Sequence, residues 1–278
     1  MNSRDDLPLV TKSKLMHDLR ALGVRAGGVL MAHASVRAVG WVVGGPDVVL
    51  DALREVVGGE GTLCMFVGWE DSTYPMASWS LEKQRAYLEE RPAFDAATCR
   101  SAPEWGVLPE RLRGLPGARR SANPEGSMAA VGPRADWLTR DHPLQYGFGP
   151  GSPFERIVHA RGDVLLLGSP RGAVTILHYA EHLARVPDKR VARYRVPMLV
   201  DNERRWVDVE ELDSVEGVVP WHRERYGNDY FAALVDDYVA LGRGRSGVVG
   251  AASCHLFEAA DLTTFAARWM EENLVHPS

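Results

Sequence analysis

The chain of 278 residues contains little cysteine and no long apolar run. Its three cysteines, Cys64, Cys99 and Cys254, are isolated and odd in number, which argues against a disulfide framework and is typical of reduced cytoplasmic thiols. No stretch of about eighteen apolar residues occurs, so we expect no membrane-spanning helix. The opening residues, MNSRDDLPLV, are too polar for a signal peptide. These absences predict a cytoplasmic protein.

An excess of positive charge is also missing. The sequence has 32 Lys and Arg against 37 Asp and Glu, a formal net charge of −5. No basic stripe is visible, which argues against a nucleic-acid partner, whereas a cationic partner would suit this balance. With 45% hydrophobic and 25% charged residues, the composition is that of a globular protein long enough for a large core.

Short apolar runs alternate with stretches of helical periodicity, which predicts a single α/β domain over residues 1–278. Its central sheet should be mixed and flanked by helices, with a late hairpin that turns at Asp201 and Asn202 as the source of antiparallel strands. The first strand–helix–strand unit predicts a parallel pair. The remaining elements are predicted as strands at 29–33, 61–68, 127–132 and 163–168, and helices at 11–22, 46–57, 105–113, 135–141, 152–161, 175–186, 229–241 and 261–274.

Ligands of open α/β sheets bind beyond the carboxyl ends of the strands, so the loops after strands are the first candidates for a site. The first such loop reads HASVRAVG. Ser35, Arg37 and the backbone amides of 36–38 could receive a pyrophosphate or pantetheine arm. The G-x-G-x-x-G and P-loop patterns are absent, so an ordinary tight turn is the competing interpretation.

A later loop leads into TILHYAEH, where His178 and Glu181 are three residues apart and share a helix face. A carboxylate beside an imidazole holds its tautomer and raises its basicity, so this pair could take a proton from an attacking amine. The alternative is a packed core histidine beside a solvated glutamate.

The same residues match the H-x-x-E-H pattern of inverted zinc peptidases, since His178 and His182 are four residues apart. A third ligand would have to come from a later carboxylate such as Glu210, Glu211 or Glu258. A five-residue match arises easily by chance, so the zinc interpretation is the weaker one.

Residues 69–104 are rich in Trp, Tyr, Pro and charge and are too irregular for a core, so we expect a functional excursion there. Carboxylates bind ammonium groups, and aromatic faces suit sugars and cations. The alternative is a solvated loop with some packed aromatics. The candidates in and next to this excursion are Trp69, Glu70, Asp71, Tyr74, Trp79, Glu104 and Trp105.

Further along, Asp229 stands before a predicted helix. It could add another carboxylate to a site, or could simply cap that helix.

Several runs in the same order resemble the aminoglycoside 3-N-acetyltransferases, also called the antibiotic N-acetyltransferase family. The resemblance extends from about residue 11 to 272 and rests on LMAHASVRAVGWVVGGPDVVLDAL, GTLCMFVGWED, RRSANPEGSMAAVG, SPFERI and LLLGSPRGAVTILHYAEHLA. It implies a fold other than the common acetyltransferase fold. In agreement, that fold's [Q/R]-x-x-G-x-[G/A] pattern is absent, because Val42 follows Arg37-x-x-Gly40 at the position that needs a small residue.

The resemblance implies direct acetyl transfer from acetyl-CoA to the 3-amino group of the deoxystreptamine ring of an aminoglycoside, giving resistance without a metal. It makes His178 the base and Glu181 its partner, with Thr175 near the acetyl oxygen. The acetyl-CoA contacts match His33, Ala34, Ser35, Val36, Arg37 and Ala38. Many relatives have His where this chain has Asn123, which cannot act as a base. The candidate antibiotic contacts are Trp69, Glu70, Asp71, Tyr74, Glu104, Asn123, Glu125, Asp213 and Asp229, with Asp71 the preferred carboxylate.

The sequence therefore supports three hypotheses about function. The first is the acetyltransferase just described. The second is a zinc hydrolase that uses His178, Glu181 and His182. The third is a non-catalytic protein that sequesters the antibiotic. The sequence does not decide the oligomeric state.

Overall fold

The computed structural model describes residues 8–71, 76, 79–214, 217–227 and 229–275. Its strands are β1 (Leu9–Val10), β2 (Val29–Ala34), β3 (Trp41–Val42), β4 (Thr62–Phe66), β5 (Arg119–Arg120), β6 (Met128–Val131), β7 (Asp163–Leu167), β8 (Val191–Val200), β9 (Glu203–Leu212), β10 (Arg245–Val249) and β11 (Ala252–Glu258). Its helices are α1 (Lys12–Leu22), α2 (Val36–Val39), α3 (Pro46–Val57), α4 (Leu81–Glu90), α5 (Val107–Arg113), α6 (Ala135–Thr139), α7 (Pro153–His159), α8 (Leu177–Leu183), α9 (His222–Tyr226), α10 (Tyr230–Ala240) and α11 (Ala259–Asn273), with 3-10 turns at Pro103–Trp105 and Arg171–Ala173. No helix in these ranges is long and apolar enough to cross a membrane.

Seven strands form the central sheet in the order β10-β11-β7-β2-β4-β6-β5. Strand β2 pairs in parallel with both β4 and β7, while the outer strands pair antiparallel. The predicted α/β fold with a mixed central sheet and the parallel pair β2–β4 are confirmed. Because β2, β4 and β7 run in the same direction, the loops that follow them meet at one edge of the sheet.

The origin predicted for the antiparallel strands was wrong. The hairpin β8–β9 turns at Asp201 and Asn202 as predicted, with φ angles of 53° and 62°, but it forms a separate two-stranded sheet. The antiparallel pairs of the central sheet are β10–β11, β11–β7, β4–β6 and β5–β6. The pair β10–β11 was not predicted, because its sequences RSGVV and ASCHLFE mix polar residues and glycine into short apolar runs.

The excursion at 69–104 contains α4, which the sequence did not predict. None of its residues is buried, so it lacks the apolar stripe by which a packed helix is recognised. Ser80 starts it by accepting a hydrogen bond from the Lys83 amide at 3.3 Å.

Side chains on the two faces of the sheet enter two different apolar clusters. Along β2, Met31 points into one cluster and Leu30 and Ala32 into the other, as the two-residue repeat of a strand requires. A third, smaller cluster of Trp69, Phe94, Val196 and Val209 lies under the hairpin β8–β9. The hairpin therefore has a core of its own.

A buried histidine in the loop before α7 makes stability depend on pH. The Nε2–H of His142 donates to the Gly147 carbonyl at 2.7 Å, and its Nδ1 accepts from the Ser121 hydroxyl at 2.8 Å. Burial lowers the pKa of His142 from its usual 6.5 to about 4. Below pH 6.5 the unfolded chain therefore binds a proton at His142 that the folded chain does not bind. The free energy of unfolding consequently falls as the pH falls towards 4.

We expect the free energy of unfolding to fall by about 2 kcal/mol between pH 7 and pH 5 on account of His142. Urea unfolding at pH 7, 6 and 5 measures this change. His142→Gln has no group that titrates there, so its stability should depend less steeply on pH, whatever its stability at pH 7. Equal slopes for the variant and the wild type would contradict the assignment.

Candidate active site

The histidine of the TILHYAEH segment is placed by the connection from β7 to α8. After β7 the chain turns at Gly168, with φ of 66°, and passes through the 3-10 turn before α8 begins at Leu177. Thr175 therefore precedes the helix and does not belong to it, contrary to the predicted start at 175. Leu177, Tyr179 and Ala180 are buried in the core, which turns His178 to the opposite side of this short helix.

A chain of hydrogen bonds leads from His178 into the protein interior. Its Nδ1 lies 2.7 Å from Oε2 of Glu181, and the Tyr230 hydroxyl donates to Oε1 of the same carboxylate. The Glu181 side chain is only 3% exposed, against 21% for His178. Burial and the neighbouring Glu181 raise the pKa of Tyr230 well above its usual range, so the phenol remains a donor. The carboxylate thus holds the His178 ring with Nδ1 as its hydrogen-bonded nitrogen.

Aromatic side chains enclose the imidazole. The ring centroids of Phe148 and Phe231 each lie 4.9 Å from that of His178. A cavity of about 310 Å³ opens beside these rings, and Thr175 and Glu104 also line it. An adjoining recess of about 190 Å³, which His178 also lines, has Glu181, Asp229 and Tyr230 in its wall. The imidazole therefore lines two adjoining hollows.

A larger cavity of about 480 Å³ covers the loop after β2. It is lined by five of the six predicted acetyl-CoA contacts, His33, Ala34, Ser35, Val36 and Arg37. The sixth, Ala38, has its methyl group against Gly168 and its amide bonded to the Ser35 carbonyl at 3.0 Å, which closes the turn. The loop predicted as a cofactor contact therefore faces a real cavity.

The 480 Å³ cavity over the loop after β2 and the 310 Å³ cavity beside His178 meet at a short aromatic wall. Phe66 and Trp105 line both of them, with ring centroids 5.0 Å apart in an edge-to-face arrangement, and Glu104 and Ala173 are shared as well. Burial lowers the pKa of His33 to about 4, so its ring is neutral, and its Nε2 atom has no hydrogen-bond partner within the described ranges. A ligand seated in the larger cavity would reach the cavity of His178 past this wall.

Of the predicted antibiotic contacts, Glu104 and Asp229 lie in the cavities around His178. Asp229 also caps α10 by accepting from the Ala232 amide at 3.1 Å, so the capping alternative holds too. Asp71 accepts a hydrogen bond from the Tyr87 hydroxyl at 3.2 Å. Tyr74 lies outside the described residues.

The remaining candidates are engaged in other contacts. Trp69 is fully buried, with the Arg91 guanidinium 4.1 Å from its ring, and Glu125 is buried 3.7 Å from the same Arg91. Glu70 accepts from the Arg100 amide at 3.4 Å, and Asp213 pairs with Arg190 at 3.2 Å. Asn123 accepts from the amides of residues 125 and 126 and donates to the carbonyl of residue 143, so its side chain stabilises a turn.

The second histidine of the H-x-x-E-H motif points elsewhere. His182 Nε2 lies 2.9 Å from Oε1 of Glu211, whereas His178 is bonded to Glu181. Among the residues with described positions, no three His, Cys, Asp or Glu side chains form a group that could hold a metal ion. The two histidines therefore serve different carboxylates.

Sequence reasoning missed the residues that join the site from a distance. Tyr230 is 49 positions from Glu181 and is followed directly by Phe231, whereas Phe148 and Phe66 come from two other segments. No local spacing links these segments to His178, and only the candidate Asp229, which precedes Tyr230, pointed to one of them.

A carboxylate-held histidine in a cavity that adjoins a second, larger one is the arrangement of an α/β enzyme that brings two substrates together for a group transfer. The family model described as aminoglycoside 3-N-acetyltransferase matches residues 31–271, so the chain belongs to that family. Aminoglycoside N(3)-acetyltransferase III of Pseudomonas aeruginosa is 45% identical over 262 residues, covering 94% of this chain and 93% of the relative.

Solved structures agree with this assignment. A structure titled AAC-IIIb binary with CoASH superposes with a TM-score of 0.88 at 40% identity, covering 97% of this chain and 99% of that one. A structure titled AAC-VIa bound to Sisomicin gives a TM-score of 0.87 at 39% identity, covering 95% and 98%. The fold is thus that of the aminoglycoside acetyltransferases.

Proposed function

We propose that this protein transfers the acetyl group of acetyl-CoA to the 3-amino group of the deoxystreptamine ring of an aminoglycoside, with His178 as general base. The observation that carries the proposal is the 2.7 Å contact between the buried Glu181 and His178, which lines a cavity that adjoins the larger one. Family membership supplies the substrate class. We place the reaction in the cytoplasm, where acetyl-CoA is available and thiols such as Cys64, Cys99 and Cys254 stay reduced.

The larger cavity suits acetyl-CoA. Ala34, Ser35 and Val36 offer small side chains and backbone groups to a pantetheine arm, and the exposed Arg37 offers a cation to a phosphate. The buried Nε2 of His33 lacks a partner that a polar ligand atom could supply. A solved relative is titled as a complex with CoASH, which supports a coenzyme A site in this family.

The antibiotic would occupy the two adjoining hollows that His178 lines. Aminoglycosides carry several ammonium groups, and Glu104 and Asp229 set carboxylates at the edges of these hollows. Trp105 and Phe231 add aromatic faces for the sugar rings. Asp71, Glu70, Glu125 and Asp213 remain predictions that need an antibiotic complex.

The chemistry requires a neutral amine. In transfer, the amine nitrogen bonds to the thioester carbon, the carbon–sulfur bond breaks, and coenzyme A leaves as the thiolate. His178 Nε2 takes the proton that the nitrogen loses and then gives it to the thiolate, while Glu181 stabilises the intervening imidazolium through Nδ1. The Thr175 hydroxyl, which lines the same cavity, would donate to the oxygen on which negative charge develops.

The deciding experiment measures thiol release from acetyl-CoA in chelator-containing buffer, with and without gentamicin. We expect thiol only when the antibiotic is present, and one acetyl group on the 3-amino nitrogen by mass spectrometry and NMR. The same assay with glucosamine in place of gentamicin is the control for an unspecific amine.

Two outcomes would overturn the proposal. Activity that is lost with chelator and returns with zinc would favour the hydrolase alternative. Gentamicin binding without thiol release, across several aminoglycosides, would favour a sequestering protein.

A further inference from the structure

His182 is the member of the H-x-x-E-H motif that the proposed mechanism does not use. It lies one turn after His178 on α8, and its Nε2 contacts Oε1 of Glu211 on β9 at 2.9 Å. The two side chains are 9% and 7% exposed. Burying a histidine–carboxylate pair costs desolvation free energy, which the hydrogen bonds around the pair must offset.

Glu211 connects this pair to a wall of the active site. Its Oε2 accepts from the Phe148 amide at 3.1 Å, and its Oε1 also accepts from the Leu212 amide at 2.8 Å. The Phe148 ring lies 4.9 Å from the His178 ring. A single carboxylate thus ties together α8, β9 and the backbone of the residue that covers the base.

The imidazole of His182 also packs closely on this loop. A methyl group at Gly149 would lie 2.8 Å from Nδ1 of His182, so only glycine leaves room for the ring. Phe148 stacks in turn on Phe154 at 5.3 Å, which fixes the far side of its ring. Three contacts therefore fix the position of Phe148: its amide bonds to Glu211, the next residue, Gly149, packs on His182, and its ring stacks on Phe154.

We propose that His182 and Glu211 are positioning residues, which hold Phe148 against His178 and so keep the imidazole aimed at the attacking amine. The kinetic part of this proposal rests on the proposed acetyltransferase function. His182, the second histidine of the motif, thus affects His178 indirectly, through Glu211 and Phe148.

The proposal predicts which kinetic constant changes. Phe148 lines the cavity of His178 but not the larger cavity proposed for acetyl-CoA. Loosening Phe148 should therefore lower kcat and leave the KM for acetyl-CoA unchanged. A misplacement of about 1 Å at a reacting group can cost about a hundredfold in rate.

The test compares Glu211→Gln and His182→Leu with His182→Gln, which keeps an N–H donor for Glu211. We expect kcat to fall between about tenfold and a hundredfold in the first two, with partial rescue in His182→Gln. Tyr146→Phe is the matched control, since it removes only the hydroxyl contact to Glu210 at 3.1 Å on the exposed side of the same loop. Its kcat should stay within about twofold of wild type.

A second readout does not depend on activity. The imidazole NMR signals of His178 feel the ring current of Phe148, so they should shift in Glu211→Gln and stay in place in Tyr146→Phe. Circular dichroism checks that each variant is folded. If the wild type fails to transfer acetyl groups, the proposed function fails while the NMR comparison still decides the positioning role.

Unchanged kcat and unchanged His178 signals in folded Glu211→Gln would overturn the proposal. So would an equal loss of kcat in His182→Gln and His182→Leu, because the N–H donor would then be irrelevant. A rise in the KM for acetyl-CoA with constant kcat would also contradict it, since it would place the effect in the other cavity.

Discussion

His178→Gln is expected to lower kcat by about a thousandfold while the KM for acetyl-CoA stays near its wild-type value. Glutamine fills a similar volume, but its amide cannot take a proton from the amine. The cavity around the loop after β2 does not include residue 178, so binding there should persist. Steady-state thiol release with saturating gentamicin measures the loss.

The control for this variant is His159→Gln, which removes an exposed histidine at the end of α7. It should turn over like the wild type. Near-wild-type turnover by folded His178→Gln would remove His178 from the mechanism and leave its contact with Glu181 as a packing feature.

Glu181→Gln is expected to lower kcat by about a hundredfold, a smaller effect because the base itself remains. The neutral amide cannot stabilise the imidazolium that forms during transfer, although it still accepts from Tyr230. The loss should appear in kcat and in kcat/KM alike, since the charge interaction develops only in the transition state. Steady-state assays over a range of acetyl-CoA and gentamicin concentrations measure both.

Glu155→Gln is a matched control for this change. Glu155 is also a carboxylate that accepts from a tyrosine hydroxyl, that of Tyr179 at 3.1 Å, but among the described residues it makes no hydrogen bond with a histidine. A comparable loss of activity in both variants would mean that the effect of Glu181 comes from stability, and melting temperatures of the two variants would check this.

The structure separates the two histidines of the motif at 178–182. From the sequence, both histidines could have served one metal ion, because they are four residues apart on a helix. In the structure, Glu181 and Glu211 engage them separately. The two histidines therefore need not share one ligand, and the proposed mechanism uses only His178.

Several features followed from the sequence by itself because they depend on short-range geometry. The spacing of His178 and Glu181 put them on one helix face, since a helix brings residues three apart together. Asp201 and Asn202 tolerate positive φ angles, which is why the turn of the hairpin was predictable. The buried strands β2, β4 and β7 were evident from continuous apolar runs, because strands covered on both faces need no polar residues.

Other features were decided only by the tertiary structure. The third member of the hydrogen-bond chain, Tyr230, comes from α10, and Glu211 comes from the hairpin β8–β9. Nothing in the local sequence states that the hairpin leaves the central sheet, or that Trp69 is buried against Arg91. These placements depend on contacts between residues far apart in the chain, and the free energy of such contacts comes from burial, which no short window of sequence contains. The sequence alone therefore predicted the proposed base and its first carboxylate, whereas packing determined what holds them in place.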